Sequence, residues 1–521
     1  MVATPIHPVT RLLQQAVRAH QDGKFDLAAQ QYQQILQQHP LQFDALHLLG
    51  VLYKQTGDAE HAIEYIQRAL TVNHQHAAAH ANLGAAYQAL GRSQEAIISY
   101  DQALAIKPDY TLAWNNRGNA LRSIGESEHA EHSFNQALQL AENDAEIWLN
   151  RGLNFHAAKR YEAALADFER ALHFRPRYAA ACCALGATLH QLRDYEAAIS
   201  AFDTAIQWQD NYAEAHCNRA LSLHKSAGND RQHPHISAAL DGFAHALQCR
   251  PGYAKALHYR ANLLRELEQH EAAVNDYQRA LQLLPANDNS TEQIRYTLAA
   301  LGAAPAPASA PSTYVKDLFD QYADHFEQHL TSELNYQVPQ LIGAALEKLL
   351  ALTPRQFKHT LDLGCGTGLC APFLRPISAH LTGLDLSENM LAKAAQKQCY
   401  DTLVCAELVE FLSPQQPTYD LIVAADVFVY IGDLAPTFNA VKNALQANGI
   451  FCFSVEHTDN ANIETPPGYH LKPSTRYAHH TSYLQTLARE NGFTIKEIQQ
   501  KEARQDKGEA LLITIVVMML E

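Results

Sequence analysis

The run Leu361-Asp362-Leu363-Gly364-Cys365-Gly366-Thr367-Gly368 sets three glycines at alternate positions directly after an apolar stretch. Glycine lets a backbone turn tightly and approach a ligand with no Cβ in the way. A second apolar run, Leu381-Thr382-Gly383-Leu384-Asp385, ends in a carboxylate 17 residues after Gly368. A carboxylate at such a strand tip accepts hydrogen bonds from the two vicinal hydroxyls of a ribose. Strand, glycine turn, helix and a strand ending in an acid describe a nucleoside site at the carboxyl edge of a parallel sheet.

The spacing narrows the ligand. A dinucleotide fingerprint reads G-x-G-x-x-G, and a Walker loop ends in Lys-Ser or Lys-Thr; this chain has G-x-G-x-G and neither ending. Asp362 inside the turn repels a polyphosphate and suits a cation, such as the amino and sulfonium groups of S-adenosylmethionine. On these residues the stretch from 313 to 521 resembles a class I S-adenosylmethionine-dependent methyltransferase. The resemblance implies cofactor contacts at Asp362, Gly364, Cys365, Gly366, Gly368 and Asp385. It places Leu386 and Met390 about the adenine, with Ala406 and Glu407 beside its exocyclic amine. Met390 is equally placed to be the first buried residue of the next helix. Asp426 leaves the sheet edge beside the methyl group. Tyr322, on an amphipathic N-terminal helix of the kind that covers such pockets, falls near the methionine end or packs in that helix.

Methyl transfer from a sulfonium needs alignment and exclusion of water more than it needs a base. A base matters only where the acceptor must lose a proton. The polar, aromatic, loop-like stretch 473–483 holds the acceptor-side candidates. His479 or His480 is a candidate general base, Arg476 a holder of an anionic acceptor, and Asp426 a further catalytic candidate. The competing reading is that both histidines pack or cap the helix beginning near Ser482. Asp426-Val427-Phe428-Val429 stands where many amino-methylating enzymes carry Asn-Pro-Pro-aromatic, which argues against DNA or glutamine-amide acceptors.

The elements that position these residues follow from pattern. Apolar runs at 402–405, 419–425, 449–455, 493–498 and 511–518 alternate with helical segments, as a doubly wound sheet requires. Upstream, Gly50, Gly84, Gly118, Gly152 and Gly186 recur every 34 residues. Ala62, Ala96, Ala130, Ala164 and Ala198 follow twelve residues behind, and Ala69, Ala103, Ala137, Ala171 and Ala205 seven further on. Ile66, Tyr100, Phe134, Phe168 and Phe202 fall between them. This pattern resembles tetratricopeptide repeats: helix pairs whose small residues allow close crossing, stacked because one unit cannot bury its apolar face alone. Eight units start near residues 9, 43, 77, 111, 145, 179, 213 and 254. An insertion at 226–234 falls in the seventh, and a capping helix in 291–301. Asn82, Asn116, Asn150 and Asn218 share one position of the first helices. By resemblance to peptide-binding arrays they form an amide ladder for a protein or peptide; the alternative is a tolerated polar position.

The expected architecture is an α-solenoid of tetratricopeptide repeats at 1–302, an Ala/Pro linker at 303–312, and an α/β doubly wound (Rossmann-like) seven-stranded methyltransferase domain at 313–521. A net charge of −15 and the lack of any Lys/Arg run argue against nucleic acid as partner. Nine scattered cysteines and no apolar N-terminal leader point to a reduced, cytoplasmic setting, and no run is long enough for a membrane helix. The 28 histidines fall mostly on repeat helices as packed or solvated side chains. The function expected is an S-adenosylmethionine-dependent methyltransferase whose array recruits a protein or protein-bound acceptor. A small-molecule methyltransferase with repeats for assembly, and a non-catalytic scaffold that binds the cofactor, are the alternatives. Oligomeric state and acceptor stay open.

Overall fold

The computed structural model describes residues 8–521 except 229, 286, 324–325, 329, 331–335, 459–467 and 507–508. Two compact units divide the chain, Met1–Ala256 and Leu257–Glu521. No helix among the described residues is long and apolar enough to cross a membrane.

In the first unit consecutive helices form hairpins, from Pro8–Gln21 and Phe25–Gln38 to Ala213–Ser226 and Pro234–Cys249. First helices begin at Phe43, Ala77, Thr111, Ala145, Ala179 and Ala213, at the 34-residue period. The packing shows why the period carries glycine. A Cβ on Gly118 would lie 2.6 Å from the Phe134 ring, and one on Gly152 2.5 Å from Phe168. The ring of the second helix therefore sits directly on the backbone of the first. Ala130 and Ala137, which flank Phe134 on its helix, have no exposed surface. The insertion falls between the two helices of its unit, and Pro234 opens the second of them with His233 as its cap.

The second unit begins within helix Ala254–Glu266, continues through His270–Leu283 and Asn289–Ala300, and carries the sheet. Its strands are β1 (Phe357–Leu363), β2 (Ser378–Asp385), β3 (Thr402–Cys405), β4 (Tyr419–Ala424), β5 (Leu445–His457), β6 (Tyr469–Leu471), β7 (Tyr477–His479), β8 (Phe493–Asp506) and β9 (Glu509–Leu520). β3, β2, β1, β4 and β5 pair in parallel in that order, and β9 then β8 complete the sheet antiparallel. These seven strands are the doubly wound core, with β4 central and β1 beside it. Leu361 and Leu363 enter one core layer, and Leu421 and Val423 of the adjacent β4 enter the other.

Two features differ from expectation. The stretch 473–483, read as loop, contributes to an antiparallel hairpin in which β7 joins the sheet beside Glu456 and His457 of β5. The Ala/Pro stretch, expected as a linker, packs within the second unit, where 307–310 hydrogen-bond to residues 430–433 and Tyr477.

The close approach makes a prediction. Gly118→Val forces the Phe134 ring off the helix and lowers stability by about 1–3 kcal/mol in denaturant unfolding. An unchanged midpoint refutes the contact.

Candidate active site

The glycine turn leaves β1 with φ of +63° at Gly364, +54° at Gly366 and +84° at Gly368. Other residues adopt this region only under strain. A Cβ on Gly364 would meet Val427 at 2.5 Å, whereas one on Gly366 would meet only Phe326, at 3.9 Å. The backbone at Gly366 is thus open to a cavity of about 1090 Å³. The Asp385 carboxylate accepts from the Gly366 N–H at 2.8 Å and from the Ser387 N–H at 2.9 Å. Burial raises its pKa, and these backbone donors oppose the rise.

Of the expected cofactor residues, Gly364, Gly366, Asp385, Leu386, Ala406, Glu407, Asp426 and Tyr322 all line this cavity. Glu407 also caps helix Leu408–Leu412, accepting from the Glu410 N–H at 2.8 Å. Helix Ser312–Tyr322 covers the cavity with Leu318, Phe319 and Tyr322. Asp320 ties that helix down by accepting from Ser387 Oγ at 2.5 Å.

Four expected cofactor residues lie outside the cavity lining, and Met390 takes the alternative place expected for it, as the first buried residue of the next helix. Asp362 alternates with the two leucines of β1 and so points to the other face. It is 1% exposed, stands outside the cavity lining, and accepts from Tyr400 Oη at 2.7 Å. Cys365 turns its sulfur over Gly383. Gly368 allows the close approach of Tyr400, with a Cβ there only 3.0 Å from the ring. Met390 has no exposed surface and is the buried first-turn residue of helix Glu388–Gln396.

The acceptor-side histidines take the competing places, one packed and one capping a helix. His479 is fully buried on β7, and its Nε2 lies 3.0 Å from the Gly432 carbonyl. Burial lowers its pKa to about 4. His480 caps helix Thr481–Glu490, its Nδ1 accepting from the Ser482 N–H at 3.2 Å. His479 is engaged through Nε2 and His480 through Nδ1, and neither lines the cavity where an acceptor would sit.

A charge cluster occupies the end of the cavity away from Ala406. Asp426 has φ +59° and donates its N–H to Ser454 Oγ at 2.9 Å. Its carboxylate accepts from Arg476 Nη2 at 2.9 and 3.0 Å and lies 3.5 Å from Arg504 Nη1. Glu456, 1% exposed on β5, pairs with Arg476 at 2.6 Å, Arg504 at 3.3 Å and Lys472 at 3.2 Å. Burial works against the Arg476 charge, but Asp426, Tyr430 and Glu456 outweigh it and hold the guanidinium above its ordinary pKa. Three cations meet two carboxylates in this cluster, and of these Arg476, Arg504 and Asp426 line the cavity, together with Asp433. Tyr430 and Tyr336 also face the cavity. Burial, then the Asp426 charge, raises the pKa of Tyr336 well above normal and keeps the phenol protonated.

Sequence reasoning missed Glu456, Arg504 and Tyr336. For Glu456 a signal existed, since it is the one acid in the apolar run 450–456. Arg504 and Tyr336 lie far from any motif and are brought in by β8 and by the segment before helix Val338–Leu352.

Comparison with known proteins finds models for both parts of the chain. Residues 361–451 match a family model described as a methyltransferase domain. Tetratricopeptide repeat models match 13–74, 77–110, 111–144, 145–178, 179–212 and 254–287. This chain joins tetratricopeptide repeats to a methyltransferase domain. Over 91 residues the domain is 35% identical to the malonyl-[acyl-carrier protein] O-methyltransferase of Enterobacter lignolyticus, covering 17% of this chain and 33% of that protein. The protein of the same name from Salmonella typhimurium is 32% identical over 90 residues, again 17% and 33%. The chain thus spans about a third of the length of the curated relatives it matches. Among solved structures, a tetratricopeptide repeat protein from Parabacteroides merdae is 20% identical, with 48% of this chain and 96% of that one covered and a TM-score of 0.42. Magnesium protoporphyrin IX methyltransferase from Synechocystis, with bound SAH, is 16% identical, with 40% and 100% covered and a TM-score of 0.33. The family match takes in the glycine turn and Asp385 and stops before Glu456, Arg476 and Arg504.

Burial raises the pKa of Asp362 to about 7, against Tyr400's opposing hydrogen bond and with help from Asp385. The folded methyltransferase domain holds this proton where the unfolded chain has released it. Stability therefore falls as pH rises from about 4 to about 7. Asp362→Asn removes that fall, and its melting temperature changes less than the wild type's between about pH 5 and about pH 8. Equal slopes overturn the assignment.

Proposed function

We propose that this chain is an S-adenosylmethionine-dependent methyltransferase whose acceptor presents an anionic oxygen, a carboxylate, and is recruited as a protein-bound group by the repeats. The observation that carries the reading is one cavity with the glycine turn and Asp385 at one end and Arg476 with Arg504 at the other. The residues present fit the cofactor. Gly366 leaves backbone open to the cavity, and Leu386 and Ala406 offer apolar surface for a purine. Asp385 keeps lone pairs for two ribose hydroxyls beyond its two backbone bonds.

The bound cofactor supplies an electrophilic methyl group on a sulfonium. The chain's own residues bind, orient and exclude water. Phe319 and Tyr322 of the covering helix line one side of the cavity. Arg476 and Arg504 orient the acceptor oxygen, and their charge keeps it ionised. A carboxylate is already a nucleophile at neutral pH, so the engagement of His479 and His480 elsewhere costs the reaction nothing. Asp426 positions Arg476 and Arg504 through its ion pairs rather than acting as a base.

The repeats support recruitment, since arrays of this kind present extended binding surfaces. The curated relatives are named for O-methylation of a malonyl group carried on a protein. Asn82 already accepts from Lys54 Nζ at 2.9 Å, and Asn150 donates to Asn115 at 3.0 Å. Each amide retains bonding capacity for a peptide backbone, as does the half-buried Asn116 and Asn218 pair of positions.

Calorimetric titration with S-adenosylmethionine tests the cofactor end. Asp385→Ala weakens binding by about 1.5–3 kcal/mol through loss of charged hydrogen bonds; unchanged affinity refutes the ribose contact. Deleting residues 43–178 leaves cofactor binding intact and abolishes methylation of a protein-bound acceptor. Full-rate transfer by the deletion variant refutes recruitment.

A further inference from the structure

The acceptor end of the cavity has a wall that neither the sheet nor its flanking helices supply. Residues 304–311 lie as a strap along residues 430–433. Gly432 and Asp433 donate their N–H groups to the Ala308 carbonyl at 2.8 and 2.9 Å, and the Ala310 N–H donates to the Tyr430 carbonyl at 2.8 Å. Ser309 bridges Ile431 in antiparallel fashion. Tyr477 Oη donates to the Pro307 carbonyl at 2.6 Å. The helix leading into the strap is tied down as well, because Tyr296, 2% exposed, donates to the Thr475 carbonyl at 2.8 Å. With so many backbone bonds the strap is a fixed wall.

These bonds engage the Pro307 and Ala308 carbonyls and the Ala310 N–H, and Ser309 is the one polar side chain that the strap 304–311 contributes to the cavity lining. Pro305, Pro307 and Pro311 have no N–H. What remains toward the cavity is mainly the hydrocarbon of Ala304, Pro305, Ala308 and Pro311. A stem lying against this surface gains from burying hydrocarbon, whereas a hydroxyl or amide there is desolvated without a partner. Arg476 and Arg504 stand in the same cavity.

We infer that the strap 304–311 is the specificity-determining wall of the methyltransferase. It selects a carboxylate carried on an apolar chain, head toward Arg476 and Arg504 and stem against Ala304 and Ala308. Acceptors whose stem is a sugar, nucleotide or peptide are discriminated against. The inference rests on the reading above that the cavity takes an anionic acceptor.

The test is calorimetry on the full chain saturated with S-adenosylhomocysteine, titrated with octanoate and with gluconate. Octanoate binds the wild type about tenfold or more tightly than gluconate. Ala308→Trp leaves the Ala308 carbonyl and its two backbone donors in place and fills the stem position. It lowers octanoate affinity about tenfold or more while S-adenosylhomocysteine binds as before, which also reports an intact fold. Octanoate affinity unchanged in Ala308→Trp overturns the wall. Gluconate binding as tightly as octanoate overturns the selection for an apolar stem. A wild type that binds S-adenosylhomocysteine but neither acid overturns the acceptor class, and one that fails to bind S-adenosylhomocysteine overturns the cofactor reading instead.

Discussion

One carboxylate between two backbone donors organises the methyltransferase domain. A turn with positive φ at Gly364, Gly366 and Gly368 cannot use its N–H groups in a ladder. Asp385, at the tip of the neighbouring strand, takes the Gly366 N–H and anchors its own chain through Ser387. Charge-assisted bonds of this kind are stronger than neutral ones, and here they offset only part of the cost of burying a carboxylate. The pairing of Leu363 with Leu384 sets the register that brings the two together. The Cys365 N–H, bonded to the Leu384 carbonyl at 2.9 Å, seals the turn onto β2. The covering helix depends on the same point through Asp320 and Ser387.

The far end of the cavity obeys a second electrostatic rule. Buried charges persist only when paired. Glu456 and Asp426 would each be costly alone, and Arg476 bridges both while Arg504 and Lys472 complete the set. The left-handed backbone at Asp426 is an observed departure from ordinary geometry, held by Ser454 and two arginines, and such departures collect at functional sites. The network fixes two arginines at the cavity through their pairs with Asp426 and Glu456.

The repeats work by the opposite means, steric and apolar. An aromatic ring set against a glycine backbone needs no charge and tolerates no Cβ, so the same residue types return every 34 positions. That regularity made the array legible. So did the strand starts at Thr402, Tyr419 and Phe493, where apolar runs and flanking turn residues agree. The Ala/Pro stretch shows where composition misleads. Proline content reads as a spacer, but a segment without N–H groups can still accept through its carbonyls, and Pro307 and Ala308 do so.

What the sequence determined by itself is what local chemistry dictates: the glycine turn, the acid at the tip of β2, the repeat period and the order of strands and helices. Gly364, Gly366 and Asp385 were readable because turn and strand lie within one supersecondary unit. Tertiary structure alone decided the rest. A one-residue alternation on β1 sends Asp362 away from the cavity, and helix Glu388–Gln396 buries Met390. The β6–β7 hairpin spends His479 on the Gly432 carbonyl, while Arg476, a candidate in the sequence, does line the cavity. Tyr336, Glu456 and Arg504 meet from three distant segments, and no spacing in a linear chain encodes a contact formed only when separate strands pair into one sheet.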